Sequence, residues 1–148
     1  MISYKVQIGS KELALQMETL RFSSYGITAT EEDYDPHYLN SISNGNILVV
    51  TSYNDGKLVA GCYISNTFHS LYIDYLFVLK DYQEQGLHIG RQLLEFILAN
   101  KSIVEEYFGE SFTESRLCSV SKKSTSIYKK VGYNETDKED LLCKKLGN

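Results

Sequence analysis

The chain has 148 residues, 43% hydrophobic and 23% charged, the length and balance of one domain spanning residues 1–148 that buries a core without disulfides or metals. A formal net charge of −4 argues against nucleic acid as the main partner, since phosphate binding needs a basic face; no stretch is apolar enough to span a membrane, and no leader-like segment opens the chain. Cys62, Cys118 and Cys143 are widely spaced with no CxxC pair, which argues against a metal site or disulfide scaffold and predicts buried free thiols in a reducing, cytoplasmic setting.

In chain order, residues 2-ISYKVQI-8 alternate apolar and polar as a half-buried strand does. Leu13, Met17 and Leu20 then recur at helical spacing, with Gly26 as the stop signal. Thr30 and Asp33 stand at capping-box spacing before a short stripe of Tyr34, Tyr38, Leu39 and Ile42, with Pro36 tolerable in a first turn. Residues 46-NILVVTSY-53 and 57-KLVAGCYIS-65 flank Asn54-Asp55-Gly56, a hairpin signal. The run 70-SLYIDYLFVL-79 makes a third successive strand. Ile89, Leu93, Leu94, Phe96 and Ile97 form a helical face. After the polar stretch 100-NKSIVEEYFGE-110 comes a strand at 115-SRLCSV-120. Ser121 caps a helix over 122-KKSTSIYKK-130 that Gly132 ends, and 140-DLLCKKL-146 is the last strand. The order β-α-α-β-β-β-α-β-α-β describes an α+β (mixed α/β) domain, a mixed sheet with helices packed on it. Twelve tyrosines and no tryptophan point to many half-wet aromatic positions.

The stretch 82-YQEQGLHIGRQLLEF-96 lies between a strand and a helix. Such a unit presents the free N–H groups of a helix start, and the helix dipole favours an anion there. Glycine lets the backbone approach that anion closely. The spacing fits neither a P-loop nor a dinucleotide-binding fingerprint. Two readings stay open on spacing alone: a phosphate-holding loop, or glycines that only shape a turn.

The run 76-LFVLKDYQEQGLHIGRQLLEF-96 resembles the acetyl-CoA loop of the GNAT N-acetyltransferase superfamily, in which a strand ending in valine leads through Gln/Arg-x-x-Gly-x-Gly/Ala into a helix. Downstream, 120-VSKKSTSIYKKVGY-133 is similar to the family's Asn…Ala…Tyr-x-x-x-Gly-Phe segment, with Ser121 and Ser124 in place of asparagine and alanine. The loop fits in two registers, Gln83-x-x-Gly86-x-His88 or Gln85-x-x-His88-x-Gly90, and both put His88 where the family has a small residue. The resemblance implies a central, mostly antiparallel sheet flanked by helices, whose middle strands splay to admit acetyl-CoA, and transfer of the acetyl group to an amine. It implies that backbone at Phe77, Val78 and Leu79 pairs with the pantetheine arm. The amides of Gln85, Gly86, Leu87, His88, Ile89, Gly90 and Arg91 would hold the pyrophosphate, and Ser121 would also face the cofactor. No metal is implied.

By the same resemblance, Tyr128, four residues before Gly132, would be the acid that protonates the leaving thiolate; the other reading is a ring simply packed on the sheet, since Ile127 and Val131 also look buried. Asp74 is the candidate base, equally readable as an ion-paired or edge carboxylate. Strand alternation would place Asp74, Leu76 and Val78 on one face. Tyr25 and Tyr34 stand where the family's first two helices cover the acceptor. His37 and His69 read as solvated. Lys122, Lys123, Lys129 and Lys130 fit either a 3′-phosphate contact or a solvated helix end. The expected function is acetyl transfer from acetyl-CoA to a primary amine of a small molecule or peptide by direct attack, in a monomer or homodimer. The alternatives are a weakly active or inactive domain of the same fold that binds acyl-CoA or regulates, and a structural module with no such site.

Overall fold

A computed structural model describes residues 1–83, 85, 88–119 and 121–147. Strand β1 (Ile2–Ile8) half-buries Ile2, Tyr4 and Val6, as its alternation predicts. Helix α1 (Lys11–Ser24) starts where Ser10 Oγ accepts from the Leu13 N–H at 3.1 Å, and it buries Leu13, Ala14, Met17 and Leu20. A 3-10 turn at Glu31–Asp33 follows, its Asp33 carboxylate accepting the Thr30 N–H at 2.9 Å. Helix α2 (Pro36–Ser43) has proline in its first turn and Asp35 Oδ1 accepting from the His37 N–H at 2.9 Å. Tyr34 stays outside that helix with an extended backbone.

Strands β2 (Leu48–Asn54) and β3 (Lys57–Thr67) form the expected hairpin. Asp55 and Gly56 turn it with φ of +49° and +86°, the left-handed pair that a two-residue turn demands. Strand β4 (Ser70–Val78) pairs antiparallel with β3. Then come a single turn α3 (Lys80–Gln83), helices α4 (Ile89–Ala99) and α5 (Lys101–Phe108), strand β5 (Glu114–Cys118), helix α6 (Lys122–Val131) and strands β6 (Asn134–Glu135) and β7 (Leu141–Lys145). The sequence did not announce α3, α5 or β6. Among residues 101–108, α5 fully buries Val104 alone, so its periodicity is faint.

The strands form one sheet in the order β1-β2-β3-β4-β5-β7-β6, antiparallel except where β4 runs parallel to β5. That parallel contact is confined to Leu71–Ser115, Tyr72–Arg116 and Ile73–Leu117. Past it β4 continues from Asp74 to Val78 without β5, so the sheet splays there. One core cluster joins the sheet to α4, α5 and α6. Its Leu93, Leu94 and Ile97 are 0% exposed and contribute roughly 1.5–3 kcal/mol each through burial. A second cluster lies under α1 and α2. Helix α1 crosses the sheet closely: a Cβ on Gly61 would stand 2.4 Å from Met17 Cε and 3.2 Å from the Val50 carbonyl oxygen, so a larger residue there requires Met17 to move.

Strand β4 carries a bulge. Cys62 pairs with Leu76 but the next residue, Tyr63, pairs with Asp74. Tyr75 is the extra residue, at φ +51°. The bulge overturns the expected shared face of Asp74, Leu76 and Val78. Leu71, Ile73, Leu76 and Val78 all pack in the cluster under α4 and α6, whereas Asp74 meets Tyr38 of α2. One inserted residue reverses the alternation beyond it. The cysteines also differ from expectation. Cys62 is buried and Cys143 half-buried, but Cys118 is exposed, because β5 turns Leu117 inward and its neighbour outward.

Candidate active site

A cleft of about 540 Å³ opens where β4 and β5 part. Leu76, Phe77 and Val78 of β4, Tyr82 and Gln83 of α3, and Ser24 and Tyr25 at the end of α1 form one side. His88, Ile89, Gly90 and Arg91 at the start of α4 and Ser121, Lys123, Ser124, Ile127, Tyr128 and Lys130 of α6 and its cap form the other. A broader groove of about 800 Å³ follows the outer side of α6 and is lined only by polar residues. It lacks the apolar wall that an organic ligand needs.

The edge of β4 in the cleft has unpaired backbone. The Leu79 N–H donates to the Val59 carbonyl at 2.8 Å, and Phe77 pairs with Gly61. Alternation therefore turns the N–H and carbonyl of Val78 away from β3, into the splay. Gln83 Nε2 donates to the Val78 carbonyl oxygen at 2.6 Å and to that of Ser24 at 3.3 Å.

Opposite this edge, α4 begins without a side-chain cap, its N-cap His88 in the left-handed region at φ +53°. The N–H groups of Ile89, Gly90 and Arg91 are thus the orphan donors of a helix start. Gly90 faces β4: a Cβ there would lie 3.6 Å from Val78 Cγ2 and 3.7 Å from Leu76 Cδ2. Arg91 pairs with Glu95 at 2.8 Å, and both side chains are largely exposed. The first turn of α4 therefore offers backbone donors, a positive dipole end and a movable guanidinium to an anion.

Helix α6 starts at Ser121, whose Oγ accepts from the Ser124 N–H at 3.1 Å, and ends at Gly132 with φ +109°. Two turns on from its cap, Tyr128 is 8% exposed and its ring meets Tyr133 edge-on at 6.4 Å. Burial first, then the neighbouring Cys62 and Tyr25, pushes its phenol up to about 12. It is a fully protonated hydrogen-bond donor at neutral pH.

Asp74 lies just beyond the last β4–β5 pair, on the α2 side. Burial raises its carboxyl above the ordinary range, partly offset by the Tyr38 hydroxyl at 3.4 Å and by His37. Tyr38 is in turn pushed well up, by burial first and then by Asp74.

Of the residues singled out in the sequence, the fold brings Phe77, Val78, His88, Ile89, Gly90, Arg91, Ser121 and Tyr128 together around one cleft. Leu79, Gln85 and Asp74 are not on its wall, and Gly86 and Leu87 lie outside the described residues. Tyr25, expected on the acceptor side, lines the same cleft. Ser24, Leu76, Tyr82 and Ile127 were not anticipated; Gln83, the first residue of one loop register, is on the wall. Ser124, named in the second motif, is a wall residue too; nothing local marks Ser24. His37 is exposed, and His69, also exposed, pairs with Glu110 at 2.7 Å. Among the described residues no His, Cys, Asp and Glu side chains are grouped as a metal site needs, and no helix is long and apolar enough to cross a membrane.

Residues 43–135 match the family profile described as an acetyltransferase (GNAT) domain. The fold is that of several solved structures. PaiA N-acetyltransferase from Thermoplasma acidophilum, in complex with coenzyme A, shares 22% identity and a TM-score of 0.65 over 97% of this chain and 99% of its own. The ribosomal-protein-S18-alanine N-acetyltransferase from Escherichia coli shares 16% identity and a TM-score of 0.67 over 99% of this chain and 96% of its own. An N-acetyltransferase from Staphylococcus aureus Mu50 shares 17% identity and a TM-score of 0.65 over 100% of this chain and 99% of its own. No curated protein is similar to the chain by sequence.

Proposed function

Since the chain belongs to the GNAT acetyltransferase family and is an acyltransferase, we propose that residues 1–148 form one catalytic domain that transfers the acetyl group of acetyl-CoA to a primary amine by direct attack in a ternary complex. The observation that carries this reading is the cleft, which joins an unpaired strand edge, an uncapped helix start and a buried phenol.

The residues present fit acetyl-CoA. Leu76, Phe77, Val78 and Ile127 give an apolar wall for an uncharged arm, and the N–H and carbonyl of Val78 suit its amides. The first turn of α4 with Arg91, and Lys123 and Lys130 across the cleft, suit the phosphates. Gln85 precedes that turn in sequence, as do Gly86 and Leu87, which lie outside the described residues, and Leu79 follows the strand edge. Acetyl-CoA supplies the thioester carbonyl and a thiolate leaving group. The amine nitrogen bonds to the carbonyl carbon, the carbon–sulfur bond breaks, and Asp74, which is off the cleft wall, takes the proton lost by the amine through water.

Tyr128 acts on the leaving sulfur. Burial raises its phenol to about 12, so it reaches the sulfur with its proton in place. It donates a hydrogen bond to the developing thiolate and is the acid from which the leaving thiol takes its proton. The acceptor is a small-molecule or peptide amine, and the setting is cytoplasmic.

A second reading, binding without turnover, is favoured by His88 on the cleft wall and by Ser121 in the family's asparagine position. Thiol release from acetyl-CoA over a panel of amines separates the two. Release with any amine supports the enzyme; heat of binding without release supports the second reading; no heat with coenzyme A overturns both.

A further inference from the structure

In the proposed reaction Tyr128 donates to the leaving sulfur, yet among the described residues nothing hydrogen-bonds its hydroxyl. The phenol is therefore aimed by the packing of its ring and the placing of its backbone, and Tyr133 supplies both. The two rings meet edge-on, with centroids 6.4 Å apart and planes at 63°. The Tyr133 N–H also donates to the Tyr128 carbonyl oxygen at 3.1 Å. That bond closes the C-terminus of α6. Gly132, at φ +109°, reverses the chain, and its own N–H donates to the Lys129 carbonyl oxygen at 3.0 Å. Such a closure fixes the last turn of a helix, the turn in which Tyr128 lies.

Tyr133 is anchored in turn from its far end. It is 1% exposed, and its hydroxyl lies 2.7 Å from Oγ of Ser115, a residue with no exposed surface. Ser115 Oγ donates to the Leu71 carbonyl oxygen at 2.9 Å. A serine hydroxyl has one hydrogen, so the Tyr133 hydroxyl is the donor in the first bond. Leu71 and Ser115 are themselves partners, the first of the three residue pairs that join β4 to β5. The splay begins just past the third, Ile73–Leu117. A phenylalanine would fill the same buried space with no hydroxyl to desolvate. The hydroxyl does more than fill space: it ties the ring to the junction from which both strands diverge.

We infer that Tyr133 is a positioning residue for acetyl transfer. It does not line the cleft. Anchored through Ser115 at the root of the splay, it holds the backbone and ring of Tyr128 at a fixed place relative to the strands on either side of the thioester. A donor misplaced by ~1 Å loses much of its effect on a transition state. The inference rests on the acetyl-transfer reading and adds to it a residue that acts through Tyr128.

The test is a double-mutant cycle on the full chain. Its readouts are kcat for thiol release from acetyl-CoA, with the amine of a panel that wild type uses fastest, and acetyl-CoA affinity by calorimetry. Tyr133→Phe keeps the ring and leaves Ser115 its bond to Leu71, so no buried donor is orphaned and the fold is kept. It is expected to lower kcat about fivefold with affinity within twofold. In a Tyr128→Phe background the same change lowers kcat no further, because the hydroxyl it positions is already gone. Ile47→Val, which trims the second core cluster, lowers the thermal midpoint without lowering kcat. Four results each overturn the positioning role and leave acetyl transfer standing. They are an unchanged kcat in Tyr133→Phe, a further equal loss in the Tyr128→Phe background, a loss of acetyl-CoA affinity that matches the loss of kcat, and an equal fall of kcat in Ile47→Val. Full kcat in Tyr128→Phe does the same. Wild-type protein that releases no thiol with any amine overturns the acetyl-transfer reading itself, and the role with it.

Discussion

The side-chain amide of Gln83 donates to the carbonyl oxygen of Val78 at 2.6 Å. This bond covers the Val78 carbonyl on the part of β4 that continues past its pairing with β5. The same amide reaches the Ser24 carbonyl at 3.3 Å, so one side chain ties the end of α1 to the open edge of β4. A ligand that pairs with that edge competes with Gln83 for the Val78 carbonyl.

Removing the tie therefore favours the ligand. Gln83→Ala is expected to tighten acetyl-CoA binding about fivefold, the worth of roughly one hydrogen bond, ~1 kcal/mol. Isothermal calorimetry measures it directly. Weaker binding in the variant would instead place Gln83 among the ligand's own contacts.

Tyr128→Phe separates catalysis from binding. The hydroxyl acts only when negative charge develops on sulfur, so kcat falls about a hundredfold while acetyl-CoA affinity stays within twofold. Among the described residues nothing hydrogen-bonds that hydroxyl, so the thermal midpoint does not fall with its loss. Steady-state kinetics alongside calorimetry checks both halves. A variant with full kcat removes Tyr128 from the chemistry.

Asp74 links function to pH-dependent stability. Its carboxyl is raised above the ordinary value, burial being the main cause. The folded protein therefore holds a proton at a pH where the unfolded chain has released it. That contribution is complete below the ordinary carboxylate value of about 3.9 and is lost as pH rises through the folded one. At pH 7 the charged Asp74 destabilises the fold. Asp74→Asn is expected to raise the melting temperature at pH 7, with the gain vanishing near pH 3, and to lower kcat at the same time. Circular dichroism melts at the two pH values test the sign. A lower midpoint at pH 7 would mean that Tyr38 and His37 outweigh the burial.

Local chemistry made most of this fold readable. Pro36, Ser121, Gly132 and the Asp55-Gly56 turn act through their own backbone preferences, and each sits where its residue type predicts. The strand and helix periodicities around them are equally local. The bulge at Tyr75 had no such signal, because its register depends on how β3 and β4 twist against each other. Asp74 was consequently expected beside Leu76 and Val78 when it points to α2. The cleft wall was legible on the α4 and α6 side, where motif and helix coincide. Ser24, and the tie that Gln83 makes to it, were not legible, since they depend on α1 and α3 meeting across the sheet.

Gly90 tests the placement of the anion site most directly. It lies in the first turn of α4, on the cleft wall, with Val78 and Leu76 at ordinary contact distance from where a Cβ would be. A methyl group fits that space, so Gly90→Ala is expected to fold normally and bind acetyl-CoA within about threefold of wild type; the helix interior favours alanine over glycine by up to ~1 kcal/mol. Gly90→Glu adds both bulk and a negative charge beside the helix-start N–H groups. A carboxylate there competes for the dipole and repels phosphate, and binding is expected to fall by a hundredfold or more while the melting temperature changes little. Calorimetry with coenzyme A and with dephosphorylated pantetheine divides the effect. Loss confined to coenzyme A assigns Gly90 to the phosphate end, and equal affinity of Gly90→Glu and wild type for coenzyme A would move the diphosphate away from α4 altogether.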